Sequence, residues 1–354
     1  MPAPVFQSSD QFRQHFIRQL HTIADEAEIG VFILVLANAI SKPEIFASLK
    51  DTLTARFQFI KKHLTTVKTR SMNAIPADDL EVFKALGELD FSSLPLASKK
   101  TLGHWQLQFN ALRSFRPVRT SQQKVCALFQ PFDDNSFHFN KPFLAREKLW
   151  QGVLAGTQTR ILYNKFPFAD YHALLVLNPE ARKPQFLEQQ DCLLTQEILE
   201  EMRALDGIGM AYNSLGAYAS VNHQHWHLFL SENDYPVESA LWKHNNGPEN
   251  YPVGVDCFHS LSEAWPVIDK YQQLQHSFNL FARPHRTYLV RRRKQGDYLH
   301  SEWTSGYAWS EMMGNIVTTR AHDYRNLNAR TIEQEFQRLK LESAVEREKD
   351  AYQQ

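Results

Sequence analysis

The stretch VNHQHWHLFL, Val221–Leu230, places three histidines at alternate positions. Alternate residues share one face of a β-strand, whereas on a helix the middle histidine would point about 160° away from the other two. The flanking valine, tryptophan, phenylalanine and leucine favour a strand. We therefore predict a strand over Val221–Leu230, with His223, His225 and His227 spaced about 7 Å apart on one face. These three residues are called the histidine row below.

Three interpretations of the histidine row are open. Three core histidines would each need buried hydrogen-bond partners. A zinc site can use a His-x-His pair, but the third ring would lie about 13 Å from the first along a strand, and no cysteine or carboxylate is near in sequence. In nucleophilic catalysis, the imidazole of His225 would attack phosphorus while the outer two orient it and bind phosphate oxygens.

The segment just upstream favours phosphoryl chemistry over metal binding. NSLGAYAS, Asn213–Ser220, is small and polar and directly precedes the predicted strand. Such residues expose backbone N–H groups and hydroxyls where phosphate can approach closely. An ordinary turn has a similar composition, so the segment gains its weight from the three histidines beside it. No metal ligand set is predicted.

The rest of the chain indicates an α+β fold. Helices are predicted from Phe12 to Ile23, from the capping pattern at Ser41–Glu44 onward, over Asp78–Leu86 and Leu187–Leu205, and from Trp309 and Thr331. Strands are predicted at Arg160–Asn164, His172–Leu177, Ile208–Tyr212 and Thr287–Val290. Strands and helices are segregated rather than strictly alternating, which favours α+β over a doubly wound sheet. The turn-forming residues His244–Pro248 predict a linker.

Composition and charge exclude several classes of protein. The 354 residues carry 39 basic and 39 acidic side chains, so no global field attracts nucleic acid or an anionic membrane. Three widely spaced cysteines indicate neither a disulfide framework nor a thiolate zinc site. The longest apolar run, Gly30–Ala37, is too short for a membrane span and lacks the basic leader of a signal peptide. We expect a soluble cytoplasmic protein.

The chain resembles the GDP-hexose phosphorylases, which are GDP-D-glucose phosphorylase and GDP-L-galactose phosphorylase, within the histidine triad superfamily. The most specific match is the block from Asn213 to His227, with its His-x-His-x-His signature. Weaker matches follow in the family's order at Gln108–Arg113, Phe137–Lys141, Asn164–Pro167, His172–Val176, Tyr235–Glu238 and Phe278–Phe281. The resemblance covers roughly residues 101–320 and finds no counterpart for residues 34–95.

The resemblance implies a fold and an organisation. The fold is a histidine-triad-like antiparallel sheet built from two similar halves, with helices packed on it and a helical N-terminal region. The expected divisions are residues 1–100 for the helical region, 101–243 for the half that bears the histidine row, and 244–354 for a degenerate second half with a C-terminal helix. A homodimer is left open as the assembly.

The resemblance also implies a nucleotidyltransferase reaction in two steps. His225 attacks the α-phosphorus of a GDP-hexose, hexose 1-phosphate leaves, and inorganic phosphate then attacks the guanylyl-histidine to release GDP. The partners would be a nucleoside diphosphate sugar and phosphate, with no other cofactor, no nucleic acid and no membrane. The expected site comprises the catalytic residues His225, His223 and His227 and the substrate-binding residues Asn213, Ser220, Asn222, Lys141, Asn164 and Arg113. Two alternatives remain: a histidine triad nucleotide hydrolase and a dinucleoside tetraphosphate phosphorylase.

Overall fold

The computed structural model describes residues 3–26, 28–66, 76–87, 96–115 and 124–341. Its helices are α1 (Ser9–Ile23), α2 (Ile29–Ala39), α3 (Pro43–Thr66), α4 (Ala77–Gly87), α5 (Gln189–Glu201), α6 (Leu261–Gln273), α7 (Trp309–Met312), α8 (Ala321–Asn326) and α9 (Ala329–Leu339). Its strands are β1 (Ser98–Leu102), β2 (Trp105–Phe109), β3 (Lys148–Leu154), β4 (Thr157–Tyr163), β5 (Ala173–Leu177), β6 (Ile208–Asn213), β7 (Trp226–Leu230), β8 (Val255–Phe258), β9 (Ser277–Arg283), β10 (Arg286–Arg292) and β11 (Asn315–Thr318). None of the helices within the described ranges has the length and apolar character needed to cross a bilayer.

An antiparallel sheet forms the centre of the molecule, as the α+β prediction requires. Its eight strands lie in the order β3-β4-β5-β7-β6-β9-β10-β8. A smaller sheet, β1-β2-β11, brings strand β2 beside strand β11 in parallel. The small sheet thereby joins segments from the two ends of the region 101–354. The predicted domain boundaries stay predictions.

The large sheet consists of two similar halves. In the first, β5, α5, β6 and β7 follow one another in the chain, and the strands lie in the order β5-β7-β6. In the second, β8, α6, β9 and β10 repeat this arrangement in the order β8-β10-β9. Strands β6 and β9 pair antiparallel where the halves meet. The expectation of two similar halves is confirmed.

The second half lacks the histidines at its matching position. One row of paired residues crosses the sheet on a single face through Leu174, His227, Ala211, Phe281 and Tyr288. Strand β10 occupies in the second half the place of β7 in the first, so Tyr288 stands on this row where the first half has His227. Tyr288 is buried and packs against the rings of Phe281 and His244. The candidate site is therefore confined to the first half.

The N-terminal helices pack against the other face of the first half. Phe16 of α1 contacts the rings of Tyr163 and Tyr171, and its carbonyl oxygen accepts a hydrogen bond from the Tyr163 hydroxyl at 2.6 Å. Helix α2 was not predicted, although it contains the apolar run Gly30–Ala37. It is buried on nearly all sides, so its side chains are apolar all round and show no amphipathic period.

Most sequence predictions of helices and strands are confirmed, with one correction at the histidine row. The predicted strand Val221–Leu230 is wrong in its first half, because β7 begins only at Trp226. The preceding residues hydrogen-bond to a different segment: Gln224 N–H donates to the Lys183 carbonyl, and His225 N–H donates to the Gln185 side chain. The predicted C-terminal helix is α9, and its expected continuation beyond residue 341 lies outside the described residues.

Candidate active site

Gln185 fixes the loop that carries the first two histidines. Its Oε1 accepts the His225 N–H at 2.9 Å, and its Nε2 donates to the Asn213 carbonyl at 3.0 Å. The amide of Asn222 supports the same loop: its Oδ1 accepts the Gln185 N–H, and its Nδ2 donates to the carbonyls of Gln130 and Pro131. The loop is therefore positioned by side chain to backbone hydrogen bonds rather than by a strand ladder.

The hydrogen bond of His225 fixes its tautomer. Its Nδ1 lies 2.8 Å from the carbonyl oxygen of His223, which can only accept. The neutral ring therefore carries its proton on Nδ1, and the lone pair lies on Nε2. A neutral imidazole with an unprotonated Nε2 in a cavity is the form that can attack an electrophile.

His227 forms a pair with a fourth histidine, His172. The backbone N–H of Phe168 lies 3.3 Å from His172 Nδ1, so neutral His172 carries its proton on Nε2. His172 Nε2 lies 2.9 Å from Nδ1 of His227, so the two rings share a hydrogen bond. The amide Nδ2 of Asn213, a donor, lies 3.3 Å from His227 Nε2.

The electrostatic surroundings keep His172 and His223 neutral. Burial, followed by the charge of Arg113, lowers the pKa of His172 well below its usual value. Burial, followed by repulsion from His225 and His138, lowers the pKa of His223 to about 3. His172 and His223 are therefore uncharged at neutral pH, and Arg113 is the positive charge next to His172.

A cavity beside these rings contains five of the predicted site residues, which are Arg113, Asn164, Ser220, His225 and His227. Arg113 is the cation among these five residues. Its guanidinium stacks 4.3 Å from the ring of Phe168 and donates to the Phe166 carbonyl at 2.7 Å. Asn164 places its Nδ2 3.3 Å from His172 Nε2. These residues place imidazoles, a guanidinium and an amide around one cavity.

The structure does not bring the other predicted residues to the cavity wall. His223 is only 1% exposed, and its Nδ1 accepts the Phe139 N–H at 3.1 Å. Asn213 lies behind His227, where its Oδ1 accepts from Asn279 and from the Trp309 N–H. Asn222 supports the loop as described above. Lys141 donates to the Asp134 carbonyl at 2.7 Å, outside the cavity.

The small-residue turn contributes less to the cavity than its composition indicated. The N–H of Ala217 donates to the Ser214 carbonyl, and the N–H of Tyr218 donates to the Gln295 side chain. Gly216 has a φ of 78°, and a Cβ there would lie 2.3 Å from the Ser277 hydroxyl oxygen. The turn therefore packs on β9, and Ser220 is the residue of this segment that lines the cavity.

Sequence reasoning missed four residues of the site. His172 was seen as the start of a strand and as part of a family motif, and its place in that motif was the available signal. Asp79, Glu147 and Lys165 also line the cavity. They are far apart in sequence and gave no signal of their own. Within the described residues, no three His, Cys, Asp or Glu side chains form a group that could hold a metal ion.

The antiparallel sheet in two halves, with histidines at the start of β7, agrees with the fold expected from the sequence. Residues 100–229 match the model of the GDPGP1-like N-terminal domain. This part of the chain is therefore similar to the GDPGP1-like N-terminal domain.

Named relatives match part of the chain. GDP-D-glucose phosphorylase 1 of Danio rerio is 33% identical over 136 residues, which is 38% of this chain and 38% of that protein. GDP-L-galactose phosphorylase 2 of Arabidopsis thaliana is 27% identical over 164 residues, which is 38% of this chain and 37% of that protein. The match thus spans under two fifths of these relatives. The yeast Ap4A phosphorylase Apa2 aligns with a TM-score of 0.49 at 13% identity over 69% of this chain and 87% of that one, a likeness too low to establish a shared function.

Proposed function

We propose that the protein is a nucleotidyltransferase that phosphorolyses a GDP-hexose through a guanylyl-histidine at His225. The observation that carries this proposal is the hydrogen bond from His225 Nδ1 to the His223 carbonyl, which places the lone pair on Nε2 of a ring that lines the cavity. The names of the relatives support the substrate class. Inorganic phosphate is the co-substrate, no other cofactor takes part, and the reaction takes place in the cytoplasm.

The first step transfers the nucleotide to the protein. His225 Nε2 forms a bond to the α-phosphorus, and the bond from that phosphorus to the bridging oxygen breaks, so hexose 1-phosphate leaves with the electron pair. A phosphate-ester leaving group departs without much help from a general acid, since its second pKa is near 6. The main requirement is stabilisation of the oxygens on the α-phosphorus, which Arg113 and the imidazole of His227 in the cavity wall supply.

The second step regenerates His225. An oxygen of inorganic phosphate attacks the same phosphorus, the P–N bond breaks, and GDP leaves. The electron pair of the broken P–N bond returns to His225 Nε2, and the ring is again neutral with its proton on Nδ1. Ser220 lies on the cavity wall with a hydroxyl that can donate to a phosphate oxygen.

The test is the identity of the product with and without phosphate. GDP-glucose is incubated with the full-length protein, and nucleotides are separated by ion-exchange chromatography. The proposal predicts GDP that forms only when phosphate is present, and loss of GDP in His225→Ala. His285→Ala is the matched control, because His285 is an exposed histidine in the turn between β9 and β10. Steady GMP formation without phosphate would indicate a hydrolase instead, and a preference for adenine dinucleotides would indicate a dinucleoside tetraphosphate phosphorylase.

A further inference from the structure

A lysine and two carboxylates lie together in the wall of the cavity that also holds His225 and His227. Nζ of Lys165 is 2.7 Å from Oδ1 of Asp79 and 3.8 Å from Oε1 of Glu147. The side chains of Asp79 and Glu147 are only 13% and 9% exposed. Burying charged side chains this deeply raises the free energy of the folded state unless they form ion pairs or hydrogen bonds. The three residues are called the Lys165 cluster below.

Three separate elements assemble the Lys165 cluster. Asp79 comes from α4, in the N-terminal region for which the family resemblance offers no counterpart. Glu147 ends the 3-10 helix Pro142–Glu147, and Lys165 lies in the loop after β4. Gly30 of α2 leaves room for the pair, since a Cβ at this position would lie 2.6 Å from Asp79 Oδ2 and 3.1 Å from Lys165 Nζ. The N-terminal helices therefore complete the wall of the cavity.

An apolar surface adjoins the charged cluster. Phe143 and Leu144 precede Glu147 on the same 3-10 helix, and both line the cavity. The Phe143 side chain is 49% exposed, which is unusual for a large apolar residue beside a cavity. An aromatic face next to hydrogen-bonding groups is how proteins hold a nucleobase, which stacks on the ring and presents its edge to the polar groups.

We propose that the Lys165 cluster binds the edge of the nucleotide base and selects guanine over adenine. The inference rests on the proposed function, in which His225 acts on the α-phosphorus of the same nucleotide. Guanine presents the acceptor O6 next to the donors N1–H and N2–H. Lys165 donates to O6, Glu147 accepts from N1–H and N2–H, and Asp79 holds the lysine in place.

The same arrangement rejects adenine. Adenine presents a donor amine where guanine has O6, so it places N–H groups against the Lys165 ammonium. Its unprotonated N1 faces the Glu147 carboxylate, and two acceptors then meet without a proton between them. Discrimination by mispaired buried polar groups is stronger than discrimination by shape alone.

The test measures equilibrium binding of GMP, IMP and AMP to the full-length protein by calorimetry, without turnover. Wild type should bind GMP at least about tenfold more tightly than AMP, and IMP, which lacks the 2-amino group, should bind more weakly than GMP. Glu147→Gln should weaken GMP binding by about tenfold or more, leave AMP binding nearly unchanged and abolish the difference between GMP and IMP. Glu197→Gln is the matched control, since this exposed glutamate lies on α5 on the opposite side of the sheet.

Two results would overturn the assignment. One is equal binding of GMP and AMP by wild type. The other is a Glu147→Gln variant that binds GMP like wild type but binds GDP-glucose more weakly, because the cluster would then contact the hexose. If Glu147→Gln does not fold, Phe143→Ala replaces it: this half-exposed side chain should weaken GMP and AMP alike through lost stacking, and unchanged binding of both would exclude a base site here.

The outcome separates this inference from the proposed function. Guanine-selective binding that depends on Glu147, in a protein that forms no GDP from GDP-glucose and phosphate, would support the base site and contradict the phosphorylase. Phosphorolysis of GDP-glucose and ADP-glucose at equal kcat/KM would support the phosphorylase and contradict the guanine-selective base site.

Discussion

Nδ1 of His225 lies 2.8 Å from the backbone carbonyl oxygen of His223, two residues earlier in the chain. The main chain, and not a neighbouring imidazole, therefore sets the tautomer of the candidate nucleophile. The ring of His223 points elsewhere and accepts the N–H of Phe139. His223 therefore positions His225 through its backbone carbonyl, while its own ring makes a separate contact inside the protein.

The first prediction concerns the side chain of His223. His223→Ala leaves the buried N–H of Phe139 without its acceptor and should lower the free energy of unfolding by about 1–3 kcal/mol. His223→Gln can accept that N–H and should lose less. Because the His223 carbonyl remains in both, kcat of the folded variants should stay within about tenfold of wild type. Urea unfolding and steady-state kinetics check this, and a loss above about a hundredfold in folded His223→Gln would mean that the ring itself acts on substrate.

The second prediction is a pH dependence of stability. The pKa of His223 is about 3 in the folded protein, against an ordinary value near 6.5 in the unfolded chain. Between these values the unfolded state binds a proton that the folded state does not, so stability rises with pH through this window and is complete above about pH 6.5. Each such group contributes a slope of about 1.4 kcal/mol per pH unit.

His223→Gln removes one of these groups and should reduce that slope. His172, whose pKa is also lowered, should keep the remaining slope above zero. Urea unfolding between pH 5 and 7 gives the comparison. Identical slopes in wild type and His223→Gln would show that His223 is not neutral in the folded protein.

The third prediction assigns His172 as a positioning residue for His227. It is fully buried and contacts two residues of the cavity wall, His227 through its Nδ1 at 2.9 Å and Asn164 through its Nδ2 at 3.3 Å. His172→Leu should lower kcat by about 10- to 100-fold with little change in KM, as for other groups that orient an active-site histidine. His172→Asn retains an N–H donor and should recover part of the loss. Equal losses in both variants, with KM raised in each, would point to a packing role instead.

The fourth prediction compares two neighbours on β7. His227 faces the cavity, whereas Leu228 is fully buried in the core on the other side of the sheet. His227→Ala should lower kcat by about 10²–10³ with a small effect on stability. Leu228→Ala should lower the free energy of unfolding by about 2–5 kcal/mol and keep kcat of the folded fraction. The reverse pattern would mean that the two faces of β7 have been interchanged.

From Trp226 onward, the alternation of side chains between the two faces of the sheet could be predicted from the sequence, because strand geometry places successive side chains on opposite faces. Trp226 and Leu228 do lie in one core while His227 faces the other side. The predicted extension of the strand to Val221 failed for a tertiary reason. Gln185, about 40 residues earlier, takes the hydrogen bond of His225 that a strand partner would otherwise form.

The remaining parts of the site depend on contacts that no local pattern encodes. Helix α2 is apolar on every side because α1, α3, α4 and the 3-10 helix Pro142–Glu147 pack around it, so it shows no helical period. Asp79, Glu147 and Lys165 come from three distant segments, and each is an ordinary charged residue in its own stretch. Their role becomes visible only where the fold places them around one cavity.

Detection of a covalent adduct on His225 tests the proposed two-step mechanism directly. The full-length protein is mixed with GDP-glucose carrying a labelled α-phosphorus, without phosphate, then denatured in alkali and mapped by peptide mass spectrometry. We expect a guanylyl group on His225 that survives alkali, is lost in acid and disappears on addition of phosphate. His285→Ala should be labelled like wild type, and His225→Ala should remain unlabelled. Phosphorolysis that proceeds at the wild-type rate in His225→Ala, or label found on another residue, would contradict this mechanism.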